Sequence, residues 1–234
     1  CERVLEIDRQ ELILQDDFSI FQLYGIVCDD GKGTAKGLAL TDFQANTNKF
    51  FNVKFSYKEI KMAMIRQFPI SYAGRVENMR YNDFEKLLKP RSKKFASYVK
   101  RKIQLEKHGG GDDTEADMNV QTDIGVTAKT HIMVGKFFED LLQLENQLEL
   151  SRKYKLATIN IKDAFAVIDM DRKGYATLAD YYTFFEEYYT DEMPISSEEI
   201  DYLFKRHDKE KLGRVSEAVF LKELMPIDDY IIID

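Results

Sequence analysis

Apolar residues recur at helical spacing along most of the chain. Val134, Phe137, Phe138, Leu141, Leu144 and Leu148 form one stripe, which predicts a helix of several turns. Two later segments repeat a single design. Phe165 and Ile168 lie four and one residues before Asp169, and Tyr181, Phe184 and Phe185 stand at positions 13, 16 and 17 counted from it. In the second copy Phe204 lies four residues before Asp208, with Gly213, Val215, Phe220 and Leu224 at positions 6, 8, 13 and 17. Each copy reads as helix, short polar loop, helix, with apolar side chains from both helices on one inner side. A unit of this kind cannot cover its own apolar face, so two should pair. Ala176 and Val215, both at position 8, are expected to form a short antiparallel bridge. Ser196 or Ser197 caps the helix before the second loop, with Glu198 and Glu199 in its first turn.

The N-terminal half carries the same signal more faintly. Phe68, Met79, Phe84 and Leu88 match Phe204, Val215, Phe220 and Leu224. Leu38, Asp42 and Phe43 fit positions 8, 12 and 13 of a first unit whose loop holds extra residues. Residues 108–130, HGGGDDTEADMNVQTDIGVTAKT, have consecutive glycines, an acidic cluster and no apolar stripe, which predicts a flexible linker. The expected organisation is an N-terminal pair over 1–107, a linker over 108–130, and a helix plus a C-terminal pair over 131–234. The fold class is all-α, four helix–loop–helix units in two lobes with two-residue bridges.

The loop DMDRKGYATLAD, residues 169–180, adds chemistry to this pattern. A 12-residue EF-hand loop places oxygen ligands at positions 1, 3, 5, 7, 9 and 12 and needs Gly at position 6. Asp169, Asp171, the Tyr175 carbonyl, Thr177 and Asp180 would be the ligands for Ca²⁺ or Mg²⁺, with Gly174 at the turn. Lys173 at position 5 opposes a cation, and Asp180 is one methylene shorter than the usual Glu. The loop therefore offers a weak metal site at most, and no other cofactor is expected. The loop from Asp208 has Glu210 but then Leu212 at position 5 and Val219 at position 12, so it lacks the anchoring carboxylate. The second loop would start at Tyr72 and has Glu77 at position 6; the first has Asp29, Asp30 and Asp42 at the wrong spacing. The apolar positions survive in all four. Burying them stabilises a paired lobe by about 1.5–3 kcal/mol per large side chain without metal. Phe165, Ile168, Phe184, Phe185, Phe204 and Leu224 are expected to form the core and partner-binding groove of a permanently set lobe.

The stretch from Leu156 to Tyr230 resembles EF-hand proteins of the calmodulin–centrin superfamily, and within them a group abundant in ciliated protists. The pieces that carry the likeness are Asp163–Phe165, Gly174–Thr177, Leu203–Asp208 and Phe220–Asp228, with a fainter match over about 60–100. The resemblance implies a structural or regulatory part of a cilium or basal body. It implies a cytoplasmic, cytoskeletal location in the axoneme and partners that are other proteins of a multi-subunit complex, such as helical segments or tubulin. The departures at the ligand positions point to a calcium-independent scaffold; a calcium sensor or buffer working through 169–180 is the alternative.

Composition narrows the function classes. Apolar residues make up 44%, charged residues 32%, and the net charge is −7. That balance argues against a nucleic-acid binder. No apolar run approaches the roughly 18 residues of a membrane span. Cys1 and Cys28 form neither a disulfide framework nor a metal-ligand spacing, and a reducing compartment fits. The chain opens on Cys1 and is expected to have lost its original start. Within an acidic chain, residues 86–107 are basic. Lys89, Arg91, Lys93, Lys94, Lys100, Arg101 and Lys102 are the candidate contact for an acidic surface. The three histidines are scattered and no nucleotide loop or nucleophile–base pairing stands out, so no enzyme activity is expected.

Overall fold

A computed structural model describes residues 2–28, 37–68, 78–95, 97–102, 127–156, 158–188 and 195–227. The chain is mostly helical, as its apolar periodicity predicts. The helices are α1 (Glu2–Ile13), α2 (Ile20–Cys28), α3 (Leu40–Phe51), α4 (Tyr57–Gln67), α5 (Tyr81–Leu88), α6 (Ala128–Tyr154), α7 (Ile161–Ile168), α8 (Leu178–Tyr188), α9 (Ser197–His207) and α10 (Glu217–Leu224). A 3₁₀ turn spans Lys93–Phe95. Among the described residues there are also four two-residue strands: β1 (Leu38–Ala39), β2 (Asn78–Met79), β3 (Tyr175–Ala176) and β4 (Val215–Ser216).

The strands make two antiparallel bridges. Leu38 pairs with Met79 and Ala39 with Asn78; Ala176 pairs with Val215 and Tyr175 with Ser216. Both bridges thus join the residues at repeat position 8. Capping fixes the helix starts as the local sequence dictates. The Ser56 and Ser196 hydroxyls accept the Glu59 and Glu199 N–H groups, and each glutamate accepts in return from its serine, a capping box at α4 and at α9.

The chain divides into two compact units, Val4–Gln143 and Leu144–Asp234 with residues 1–3. The linker expected at 108–130 is not where this division falls. Residues 108–126 lie outside the described residues, and 128–130 are the first turn of α6. The boundary sits inside α6 because its first part belongs to the core of the N-terminal unit. Val134, Phe137, Phe138, Leu141 and Leu142 are all buried. The Phe138 ring lies 5.4 Å from Phe43 and 6.3 Å from Phe84, and 6.2 Å from Phe51. Gly135 lets α6 approach closely, since a Cβ there would stand 3.1 Å from the Phe51 carbonyl oxygen.

Helix α1 closes the same unit and has no counterpart in the repeat pattern. Leu5, Leu12 and Ile13 are buried, and so are Glu6, Asp8 and Arg9. Arg9 donates from Nε to the Leu87 carbonyl at 2.8 Å, with its guanidinium 5.7 Å from the Phe137 ring centre. The Glu6 carboxylate accepts the N–H groups of Arg91 and Ser92, both at 2.9 Å. Asp8 is paired with Lys136 of α6.

In the C-terminal unit the core gathers Phe165, Ile168, Ala176, Tyr181, Phe185, Ile200, Phe204, Val215 and Phe220. Phe165 meets Phe220 at 5.4 Å and Tyr181 meets Phe204 edge-on at 5.4 Å. These are the repeat positions −4, 13 and 13, −4 of the two units, so each helix–loop–helix is covered by its twin.

Candidate functional site

The two loops of the C-terminal unit share one backbone design. Asp169 accepts from the Lys173 N–H at 3.0 Å and the Gly174 N–H at 2.7 Å. Asp208 accepts from the Leu212 and Gly213 N–H groups, both at 2.8 Å. Position 4 is left-handed in each, at Arg172 (φ 55) and Lys211 (φ 58), and position 6 is a left-handed glycine, Gly174 (φ 78) and Gly213 (φ 71). A carboxylate at position 1 is therefore needed to tie the turn, whatever happens at the other ligand positions.

The two loops differ at their centre. In loop 169–180 the Lys173 ammonium donates to both Asp180 oxygens, at 2.9 and 3.1 Å, and reaches Asp171 at 3.5 Å. Asp180 also accepts from the Thr177 N–H at 2.6 Å and the Thr177 hydroxyl at 2.7 Å. Burial opposes ionisation of Asp180, but the bonds from Lys173 and Thr177 outweigh it and hold the carboxyl below its usual value. Asp180 in turn raises the Lys173 ammonium above the ordinary lysine value. An internal cation thus stands among the position-3 and position-12 carboxylates. Both oxygens of Asp169 are committed to backbone N–H groups, and Tyr175 lies in the β3 bridge with the Arg214 guanidinium 5.4 Å from its ring. One of the three loop carboxylate charges, those of Asp169, Asp171 and Asp180, is thus offset from within by Lys173. No cluster of three or more metal-ligating side chains occurs among the described residues. Asp29, Asp30, Tyr72 and Glu77 of the first two loops lie outside the described residues.

Of the expected groove residues, Phe165, Ile168, Phe185 and Phe204 are buried in the core, whereas Phe184 and Leu224 are only partly buried. Phe184 packs on Phe185 at 5.2 Å and Tyr188 at 5.1 Å. Leu224, Leu203 and Ile195 line a cleft together with Leu148 of α6 and Leu156, just after its end.

The remaining surface of that part of α6 is ionic. Arg206, buried, pairs with Glu2 and donates to Glu145 at 2.8 Å. Arg152 donates from Nε to the Glu223 carbonyl at 2.7 Å and lies 3.3 Å from Glu149. Glu223 is paired with Lys209. Burial would keep the Glu223 carboxyl neutral, but Lys209 and Arg206 together hold it below its usual value. His207 is buried with Nδ1 2.7 Å from the Tyr181 hydroxyl. Loss of hydration pushes the imidazole down to about 4, so it is neutral at pH 7. None of these groups stands out in the sequence, because an isolated Glu or Arg on a helix looks solvated. Their one signal is position: Glu145, Glu149 and Arg152 continue the stripe of Phe138 and Leu141.

The basic segment is less available than its composition suggests. Lys102 donates to the Ile13 carbonyl at 3.2 Å and to that of Gln15, Lys89 pairs with Glu85 at 2.8 Å, and Arg91 meets Gln67 at 3.4 Å. Lys93, Lys94, Lys100 and Arg101 remain exposed. No helix among the described residues is long and apolar enough to cross a membrane. Cys28 is buried. Compared with known protein families, curated proteins and solved structures, the chain matches no family model, no curated protein and no solved structure.

Proposed function

We propose that this chain is a metal-independent protein of the EF-hand type, two paired-hand lobes that serve as an interaction scaffold. One observation carries the reading: the Lys173 ammonium bridges Asp180 and Asp171, where an EF-hand loop would hold its calcium. In a calcium-sensing hand the metal draws in the position-12 carboxylate and opens the helices. Here that carboxylate is held by a lysine that is always present, so the lobe has one setting. The two bridges at position 8 support the pairing of hands in both units. The partners are other proteins: a helical segment at the C-terminal unit, and an acidic surface at Lys93, Lys94, Lys100 and Arg101. The likeness to ciliary EF-hand proteins makes a cytoskeletal assembly such as the axoneme, with tubulin as one acidic surface, the first place to look.

Calorimetric titration with CaCl₂ tests the reading. The expected result is no stoichiometric binding at micromolar Ca²⁺ and the same tyrosine fluorescence in chelator and in millimolar Ca²⁺. A one-to-one isotherm at micromolar Ca²⁺ that vanishes in Asp169→Ala would make the protein a sensor or buffer instead.

A further inference from the structure

The C-terminal unit holds a cleft of about 670 Å³, within the size range of sites that take small molecules. Every apolar side chain among its described lining residues is aliphatic: Leu148, Leu156, Ile195, Leu203 and Leu224. The charged lining residues differ in how they are engaged. Glu2 pairs with buried Arg206, and Glu223 with Lys209. Glu199 accepts from the Ser196 N–H and hydroxyl in the capping box, at 2.9 and 2.8 Å, and lies 3.9 Å from Arg3. Arg206 also reaches Glu145, and buried Arg152 reaches Glu149. Lys155 stands apart. It is exposed, and it forms no ion pair among the described residues.

We propose that this cleft binds a long-chain carboxylic acid, with the hydrocarbon tail along the leucine and isoleucine walls and the carboxylate at Lys155. The lining selects the tail. Its carboxylates and buried guanidinium groups are already engaged, so a guest that brings N–H and C=O groups of its own out of water would leave some of them unsatisfied. A hydrocarbon chain brings none. The charges select the head. The lining carboxylates already have partners, and the Lys155 ammonium has none among the described residues. Glu223 also carries a buried oxygen, Oε2, with no hydrogen-bond partner, and that oxygen repels an anion from its side of the lining. The head therefore stays with Lys155, where water also reaches it, and Arg3 is a second exposed cation of the lining. A free acid fits better than an acyl chain attached to a protein, because an amide or ester link leaves no charge for Lys155. The inference does not depend on the EF-hand reading of the loops.

Calorimetric titration of the whole protein with sodium octanoate, decanoate and dodecanoate, each below its micelle concentration, tests it. One-to-one binding is expected, tightening about fourfold for each added methylene. Dodecan-1-ol carries the same tail without the charge and should bind several-fold more weakly than dodecanoate. Lys155→Glu, at an exposed position, should weaken dodecanoate several-fold and leave the alcohol unchanged, a split that a folding defect would not produce. Leu156→Gln changes a wall residue outside the core of the unit and should weaken both probes alike. No saturable binding, or equal affinity for eight and twelve carbons, would overturn the proposal. So would a Lys155→Glu variant that treats acid and alcohol as the parent does. Unchanged binding of both probes by Leu156→Gln would overturn it too, since the acid would then sit elsewhere on the molecule.

Discussion

Helix α6 contributes to both compact units, and it packs in opposite ways in each. In the N-terminal unit it inserts Phe137, Phe138 and Leu141 among Phe43, Phe51 and Phe84. In the C-terminal unit it presents Glu145, Glu149 and Arg152, all buried and all paired. Apolar packing is tolerant of small shifts and excludes water over its whole area. Ion pairs hold only where their geometry is met, and they do not cover the leucines beside them. The first unit is thus filled from within its own chain. The second keeps partly open apolar side chains, Leu203 and Leu224, beside a cleft. An open apolar cleft goes with the ionic version, not the aromatic one.

The contrast can be broken at either end. Phe138→Ala removes a fully buried ring from the aromatic cluster and should cost the N-terminal unit about 3–5 kcal/mol. Chemical denaturation should show the loss, and an unchanged midpoint would mean that α6 is not part of that core. Arg206→Met should cost a comparable or slightly smaller amount, about 3–5 kcal/mol, because it strips the guanidinium from buried Glu145. The added change Glu145→Leu should recover most of it. That recovery is the diagnostic: a cavity in an apolar core cannot be repaired by removing a second side chain, whereas a buried charge that has lost its counter-charge can.

A pH series sharpens the same difference. His207 is neutral in the folded unit, with its value held at about 4 against an ordinary 6.5. Below pH 6.5 the unfolded chain takes up a proton that the folded chain refuses, so stability falls as pH drops from about 6.5 to 4. Each pH step between those two values is worth about 1.4 kcal/mol, so the total is about 3 kcal/mol. The groups facing His207 are Tyr181, Glu223, Arg206, Lys209 and Arg152. His207→Gln should flatten the pH dependence over that interval, and a curve as steep as that of the parent would place the acid sensitivity elsewhere. A smaller effect is expected at the edge of the core. Phe184 is only partly buried, so Phe184→Ala should cost about 1–2 kcal/mol, less than a core phenylalanine would.

The legible part of this fold is the part built by apolar periodicity. Phe165, Phe204, Val215 and Phe220 stand at fixed offsets from an Asp, and those offsets place the Ala176–Val215 bridge and the core of the C-terminal unit. Helix α1 is not legible, because its buried face mixes Leu5 and Leu12 with Glu6, Asp8 and Arg9. Charged residues on the inner side dilute the stripe that marks a helix as packed. The same cause hides the unit boundary. The acidic, glycine-rich stretch looks like a division, but the structural change comes where the stripe of α6 turns from Phe138 and Leu141 to Glu145 and Glu149. Lys173 is legible as an anomaly. Its role is not, because sequence shows a cation at a cation site without showing which carboxylates it reaches.

Lys173→Ala is the smallest expected effect and the one that separates structure from chemistry most cleanly. Lys173 is exposed, and an ion pair screened by solvent contributes little to stability, so the melting temperature should barely change. The loop has other ties: Asp169 to two backbone N–H groups, and Asp180 to Thr177. What should change is the electrostatics at the centre of the loop. With the ammonium gone, Asp171 and Asp180 face each other without a counter-charge, and a divalent ion becomes the natural substitute. Lys173→Asn restores an oxygen at position 5 as well. Calorimetry with CaCl₂ should therefore show binding in Lys173→Asn that the parent lacks, weaker than a full EF-hand because Asp180 is too short to act as a Glu. Charge removal alone, in Lys173→Met, should give less. If Lys173→Asn binds no calcium at millimolar concentration, the ammonium is not what keeps metal out, and the loop's geometry excludes a cation on its own.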